Sequence, residues 1–264
     1  MQRRQFLAAS LATSALALAR DAKAQSSAST AREFYQIRQY KMENGPQTKL
    51  TGNYFSQALI PALGKLGFGP IGAFSVNIGP ETPTFYLLIP GASVEALVTA
   101  DLHLAEDAEF QKAADPFWNA PASAPAFNRI ESSLLIAFEG WPKLTLPASS
   151  TTKSKRIFQL RTYESPSNRD HVRKVEMFHK GEFDFFKSAG LHSVFYGDVL
   201  IGSRLPALTY MLGLDNLEEL NSKWEAFGSN PEWKKLSADP RYGFEPTVSN
   251  ITNLVLTPLG SSQI

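Results

Sequence analysis

Phe34-Tyr35-Gln36-Ile37-Arg38-Gln39-Tyr40 and Ile157-Phe158-Gln159-Leu160-Arg161-Thr162-Tyr163 carry one pattern twice, 123 residues apart (157 − 34). The same offset aligns Phe55 with Phe178, Leu63 with Phe186, Gly67 with Gly190, Glu95 with Glu218 and Leu97 with Leu220. It also brings Glu109-Phe110 onto Glu232-Trp233 and Lys112 onto Lys235. A register that holds without a gap from residue 34 to residue 112 marks an internal repeat. Beyond it the alignment slips by a few residues, through a proline-rich loop from Pro116 to Pro125 and its counterpart around Pro240 to Pro246. Loops are where a change of length is tolerated.

Each copy reads alike. Residues 33–40 and 156–163 alternate apolar and polar side chains, the period of a half-buried strand. Phe55, Leu59, Leu63 and Leu66 then recur at helical spacing, as do Val172, Val175, Phe178, Phe185, Phe186 and Ala189. Gly67 and Gly190 stop these helices, and Pro61 predicts a kink in the first. Strand-like runs follow at Ile71–Ile78, Thr84–Ile89, Val194–Ile201 and Leu208–Leu212. A second helix is predicted over Ser93–Leu104 and Asn216–Phe227, and a last strand over Ser132–Phe138 and Ile251–Leu256. The order is βαββαβ, a ferredoxin-like unit of the α+β class. Helices cover only one face of such a sheet; the second copy covers the other, packing the two sheets into an intramolecular dimeric α/β barrel. The boundaries fall at residues 33–141 and 155–258, with the Pro-, Ser-, Thr- and Lys-rich stretch 142–154 as linker.

The start of the chain is of another kind. Met1 to Ala24 has a basic opening, a short apolar run and Ala22-Lys23-Ala24 before Gln25, the layout of a cleaved secretory signal. Arg3-Arg4-Gln5-Phe6-Leu7 matches a twin-arginine export address, which predicts a periplasmic or secreted protein. The apolar run falls short of the ~20 residues that cross a bilayer, so no membrane span is predicted. Residues 1–24 hold four basic residues and one acid, so their removal takes the formal charge from +1 to −2. A nearly neutral domain lacks the concentrated basic face that nucleic acid binding requires. With no cysteine, there is no disulfide framework, thiolate nucleophile or thiolate metal ligand.

Gln159-Leu160-Arg161-Thr162-Tyr163, a Phe-rich helix ending at Gly190, and Asn230-Pro231-Glu232-Trp233 together resemble the NIPSNAP family pattern. The first copy keeps Gln36-Ile37-Arg38-Gln39-Tyr40 and Asp107-Ala108-Glu109-Phe110 but lacks the tryptophan, and the second half is the better fit. The resemblance spans nearly all of residues 33–257. It implies a dimeric α/β-barrel fold, shared with small monooxygenases, haem-handling enzymes and proteins of no known activity. A fold with that range of uses assigns no function by itself.

Candidate chemistry starts from the first strand of each copy. If Tyr35, Ile37, Phe158 and Leu160 pack on the helices, then Gln36, Arg38 and Tyr40, with Gln159, Arg161 and Tyr163, face the barrel interior. There a guanidinium fork and a phenol suit a small anionic or carbonyl-bearing ligand, with Tyr196 converging on Arg161 and Tyr163. The competing reading has each arginine satisfying an interior carboxylate or backbone carbonyls, as any buried polar group must be satisfied. His103, His171, His179 and His192 are not duplicated. His179, mid-helix with Glu176 and Glu182 a turn away on either side, is the candidate base or axial haem ligand, against a surface histidine on a charged helix. No His-x-x-x-His or H-E-x-x-H occurs, so no metal is predicted. The phosphate-binding loop G-x-x-x-x-G-K-[ST] and the G-x-S-x-G elbow are likewise missing.

The leading expectation is a barrel that binds a small, partly apolar molecule in its interior and turns it over without a tightly held cofactor, as an oxygenase or isomerase does. The alternatives are a non-catalytic scaffold or carrier and, third, haem handling. Association of such barrels into a homo-oligomer stays open.

Overall fold

The computed structural model describes residues 31–264, and the export-signal expectation for residues 1–24 lies outside that range. Among the described residues eight strands close an antiparallel barrel: β1 (Phe34–Lys41), β2 (Gly72–Ile78), β3 (Thr84–Gly91), β4 (Arg129–Ala137), β5 (Ile157–Glu164), β6 (His192–Ile201), β7 (Ala207–Leu214) and β8 (Asn250–Pro258). Their order around the barrel is β4-β1-β3-β2-β8-β5-β7-β6, with β6 returning to β4. Eight strands give an interior that side chains just fill, or that holds one small ligand.

Helices pack outside. The first half has α1 (Pro46–Tyr54), a π-helical turn (Phe55–Leu59), α2 (Ile60–Lys65), α3 (Val94–Leu104) and α4 (Ala108–Trp118). The linker adds the short α5 (Ala148–Thr151). The second half has α6 (Asn168–Met177), a π-helical turn (Phe178–Glu182), α7 (Phe183–Ser188), α8 (Leu217–Ser229) and α9 (Pro231–Ser237). The bounds of β1 and β5, of the two π turns, of α2 and α7, and of β3 and β7 each differ by 123 residues, whereas β4 and β8 differ by 121.

The local reasons for these elements also recur. Side chains of Ser93 and Asn216 accept from the amides of Ala96 and Glu219, capping α3 and α8. Asp107 and Asn230 do the same for α4 and α9. Gly67 and Gly190, with φ of 86° and 76°, take the left-handed residue that ends α2 and α7, and the amides of Phe68 and Leu191 reach back to the carbonyls of Leu63 and Phe186. Two expectations shift. Pro116 lies inside α4, which runs on to Trp118, because its missing amide falls in the last turn at an exposed position. The irregularity near Pro61 is a π turn, and its counterpart forms in the second half where Asp184 replaces proline, so proline is not its sole cause.

Burial divides into three layers. One lies between the sheet and the helices of the first half, around Tyr40, Phe55, Leu63, Leu87 and Phe110. A second is its counterpart around Tyr163, Phe178, Phe186, Tyr196 and Tyr210. The third is the barrel interior, around Tyr35, Ile37, Phe74, Phe158, Leu160 and Phe195. One end of that interior is closed: Tyr35 packs on Phe195 with centroids 4.9 Å apart, and Phe74 meets Phe158 edge-on at 5.1 Å. Leu144 from the linker and the fully buried Ile264 complete the plug. The linker is held there by Leu144 N donating to Glu33 Oε2 at 2.7 Å and Thr145 N donating to Val194 O at 2.8 Å. Among the described residues no helix is long and apolar enough to cross a membrane.

Candidate functional site

The two faces of β1 and β5 are the reverse of the sequence expectation. Tyr35, Ile37, Phe158 and Leu160 point into the barrel, and Tyr40, Tyr163 and Tyr196 pack under the helices. By strand alternation Arg38 and Arg161 lie on that helix-facing side as well. In a barrel jacketed by helices both faces of a strand are buried, so an apolar row does not mark the helix side.

The barrel's other end is open. Between the ends of the strands lies a cavity of about 470 Å³. Its floor is aliphatic, formed by Ile37, Leu160, Val199 and Leu254. Above the floor two unlike walls face each other. Gln39 on β1 is flanked by Tyr86 on β3 and Glu131 on β4, while Thr162 on β5 is flanked by Thr209 on β7 and Thr252 on β8. The hydroxyls of Thr162 and Thr209 share a hydrogen bond of 2.8 Å. These residues occupy corresponding register positions in the two halves, so the fold supplies the pocket and the side chains make it asymmetric.

Both cations at the rim are paired with carboxylates. Lys41 Nζ lies 3.0 Å from Glu81 and 3.1 Å from Glu131. Arg204 hydrogen-bonds Thr252 and lies 3.6 Å from Glu164. Burial pushes the Tyr86 phenol up to about 12, so it stays a neutral donor. The cavity therefore offers an apolar base, hydroxyl and amide groups at mid-height, and at the top two cations that are both already paired with carboxylates. None of the sequence candidates lines it. Its residues are nonetheless the neighbours of those candidates: Gln39 and Lys41 alternate with Arg38 and Tyr40, and Thr162 lies between Arg161 and Tyr163.

Arg161, Tyr163 and Tyr196 do come together, but in the layer beneath the second half's helices. Tyr163 and Tyr210 share a hydrogen bond of 2.9 Å, Tyr196 stacks on Tyr210 at 5.5 Å, and Tyr196 bonds Ser193 at 2.5 Å. Burial raises the Tyr196 and Tyr210 phenols far above their usual range, which keeps them protonated. Arg161 lies under the Trp224 ring at 4.4 Å. Lys174 and Glu182 form a fully enclosed pair beside them, 3.0 Å apart. In the first half Arg38 donates to Asp101 at 2.9 Å, with Tyr40 in the same layer.

His179 takes neither neighbouring glutamate. Its Nδ1 hydrogen-bonds Val175 O at 2.9 Å, and its Nε2 accepts from Gly140 N at 3.1 Å. Glu176 instead binds Arg241 and Tyr242, and Glu182 binds Lys174. With both nitrogens engaged, His179 fastens the chain after Phe138 to the π turn, and a base or haem-ligand role requires breaking one of those bonds. His171 meets Asp198 at 2.8 Å, while His103 and His192 are exposed. Among the described residues no group of three or more potential metal ligands assembles.

Residues 158–263 match the NIPSNAP family model. The barrel is similar to a solved Lactobacillus acidophilus protein with the provisional name monooxygenase, at 11% identity and a TM-score of 0.55 over 86% of this chain and 94% of that one. A Fusobacterium nucleatum protein, also provisionally a monooxygenase, matches at 8% identity and 0.51 over 87% and 94%. A NIPSNAP-like domain protein from Burkholderia xenovorans matches at 19% identity and 0.36 over 40% of this chain and 86% of that one. At these identities the likeness to the first two is one of fold. Comparison with curated proteins finds no match.

Proposed function

From a chain whose residues 158–263 match the NIPSNAP family model, we propose a protein that binds a small, neutral, partly apolar molecule in the open end of its barrel. The observation that carries this reading is the cavity of about 470 Å³, which has the size and mixed lining of a small-molecule site. Its aliphatic floor takes an apolar body. The Tyr86 phenol donates to a carbonyl or hydroxyl oxygen at mid-height, opposite the threonines. Because Lys41 and Arg204 are already paired with carboxylates, a neutral carbonyl compound fits better than an anion. If the bound molecule is turned over, Tyr86 is positioned to stabilise charge developing on that oxygen.

The repeat in sequence and the matching element bounds support an origin by internal duplication of a ferredoxin-like unit. The paired Arg3-Arg4 supports export, and Arg3→Lys with Arg4→Lys is expected to hold the protein in the cytoplasm on cell fractionation.

The test of binding is a thermal-shift screen with quinones, cyclic ketones and matched carboxylates, repeated on Thr162→Trp, which fills the cavity, and Tyr86→Phe, which removes the donor. A ligand of the native state raises Tm in a concentration-dependent way. The neutral carbonyl compounds are expected to do so, Thr162→Trp to abolish the effect and Tyr86→Phe to weaken it. A native protein that responds to none of them, or a Thr162→Trp variant that responds equally, ends the proposal.

A further inference from the structure

The two halves carry the same arginine in the same register, and only one of them is satisfied. In the first half Arg38 Nε donates to Gln36 Oε1 at 3.1 Å and its Nη1 to Asp101 at 2.9 Å. Gln36 holds its own position by donating to Ser132 at 3.1 Å. At the 123-residue offset Arg161 corresponds to Arg38, Gln159 to Gln36 and Trp224 to Asp101. That last exchange removes both of the arginine's partners. The carboxylate is gone, and the indole Nε1 of Trp224 donates to Gln159 Oε1 at 2.7 Å, occupying the acceptor that its counterpart Gln36 offers to Arg38. Gln159 is otherwise anchored as its twin is, donating to Asn253 at 2.9 Å.

Arg161 is left with a buried Nε that has no hydrogen-bond partner and, among the described residues, with no ion pair. Its neighbours are the Tyr163 phenol, the Tyr210 phenol that burial keeps protonated, and the Trp224 face. Glu182 acts on it only at longer range and is already claimed by Lys174. With that carboxylate engaged by its own lysine, no carboxylate is left to pair with Arg161, and its guanidinium charge stays uncompensated in this layer. The cation–π contact with Trp224 and a hydrogen bond with the Tyr163 hydroxyl offset part of the cost, but neither supplies a negative charge and the Nε is left unpartnered. The guanidinium is not sealed off: Arg161 keeps partial exposure, and the residue facing it on β8, Asn253, is exposed.

We infer that Arg161 is a binding site for a small carboxylate from solution, which replaces the missing Asp101 equivalent. A planar carboxylate matches the guanidinium edge in bidentate fashion, and the Tyr163 phenol and Trp224 ring favour one carried on an apolar or aromatic body. This site lies on the helix side of the sheet, separate from the barrel cavity, and depends on none of the cavity residues.

The experiment titrates the protein with benzoate and acetate at constant ionic strength, against chloride, following Tm and tryptophan fluorescence. Benzoate is expected to raise Tm by about 5 °C or more at roughly a hundred times Kd and to change the emission saturably. Arg161→Met should remove both effects. Arg38→Met, at the satisfied twin, should leave them. Trp224→Asp, which rebuilds the first half's arrangement, should also abolish the response by supplying an internal carboxylate; if that variant fails to fold, the arginine pair decides alone. A native protein indifferent to both carboxylates overturns the inference. So does a response that survives Arg161→Met or disappears equally in Arg38→Met. Thr162→Trp, which tests the barrel cavity, should leave benzoate binding intact, so the two sites fail or stand separately.

Discussion

Lys174 Nζ donates to both carboxylate oxygens of Glu182, at 3.1 and 3.0 Å, with each side chain 3% exposed. At the repeat offset the first half fills these positions with Thr51 and Leu59, both also fully buried. The fold therefore does not need the charges. Two buried ions recover their desolvation cost only through each other, so losing one partner strands the other. Glu182→Leu alone and Lys174→Met alone are each expected to destabilise by about 3–5 kcal/mol, while the double variant is expected to be neutral or up to about 4 kcal/mol more stable. Urea unfolding of all three decides it, and singles no worse than the double would show that the pair is not coupled. A pH dependence follows. Burial, the largest influence, lifts the Glu182 carboxyl above its ordinary 4.5 against the opposing pull of Lys174. Between 4.5 and that raised value the folded chain holds a proton that the unfolded chain has released, so this group's contribution to stability falls as pH rises through the window. The urea midpoint of the native protein, relative to the double variant, should decline from pH 4.5 upward; a rising or flat difference contradicts the assignment. The residues of these layers were readable in the sequence, but their direction was not. Alternation in β1 and β5 separates two faces without saying which meets the helices, since Tyr35 and Phe158 pack as tightly in the barrel as Tyr40 and Tyr163 do outside it. One signal was present: an acid at residue 101 on a helix suits an arginine beneath that helix.

The strands, the helix ends and their order follow from periodicity and from Gly67 and Gly190, because those signals are local. The π turns were not legible, since each is a single turn inside a longer helix and no one residue type marks it. They differ between the halves. Gly181 takes a φ of 147° inside the second turn, where the first has Ala58. A Cβ at Gly181 meets the Phe185 ring at 2.8 Å and needs a backbone conformation that L-residues avoid. Gly181→Ala is thus expected to destabilise by about 1–3 kcal/mol. Gly64, in α2, has ordinary backbone angles and open space around it, so Gly64→Ala should gain about 0.5–1 kcal/mol through helix propensity. Urea midpoints moving in opposite directions for the two alanines are the expected result. A tolerated Gly181→Ala would mean that the bend is incidental to the packing of Glu182 and Phe185.

At the scale of the molecule, the barrel interior belongs to neither half. Tyr35, Ile37, Phe74, Leu88 and Leu135 come from the first, and Phe158, Leu160, Phe195, Met211 and Leu254 from the second. The halves join along two seams, β2 on β8 and β6 on β4, each with a register shift. Severed from its partner, the segment 155–264 keeps the order β8-β5-β7-β6 and the helices on one face, but exposes the other face and both edge strands. Open edges beside an apolar sheet invite pairing with another chain. The match to the NIPSNAP family model, residues 158–263, falls within this half. Expressed alone, it is expected to close a barrel with a second copy of itself and sediment as a dimer at micromolar concentration, and adding residues 31–154 should compete to give a one-to-one complex. The heterotypic pair should be favoured, because the plug of Leu144 and Ile264 needs one segment from each fragment. A fragment 155–264 that stays monomeric with native cooperativity would show that the helices suffice to stabilise the sheet, and that barrel closure serves the cavity rather than the fold.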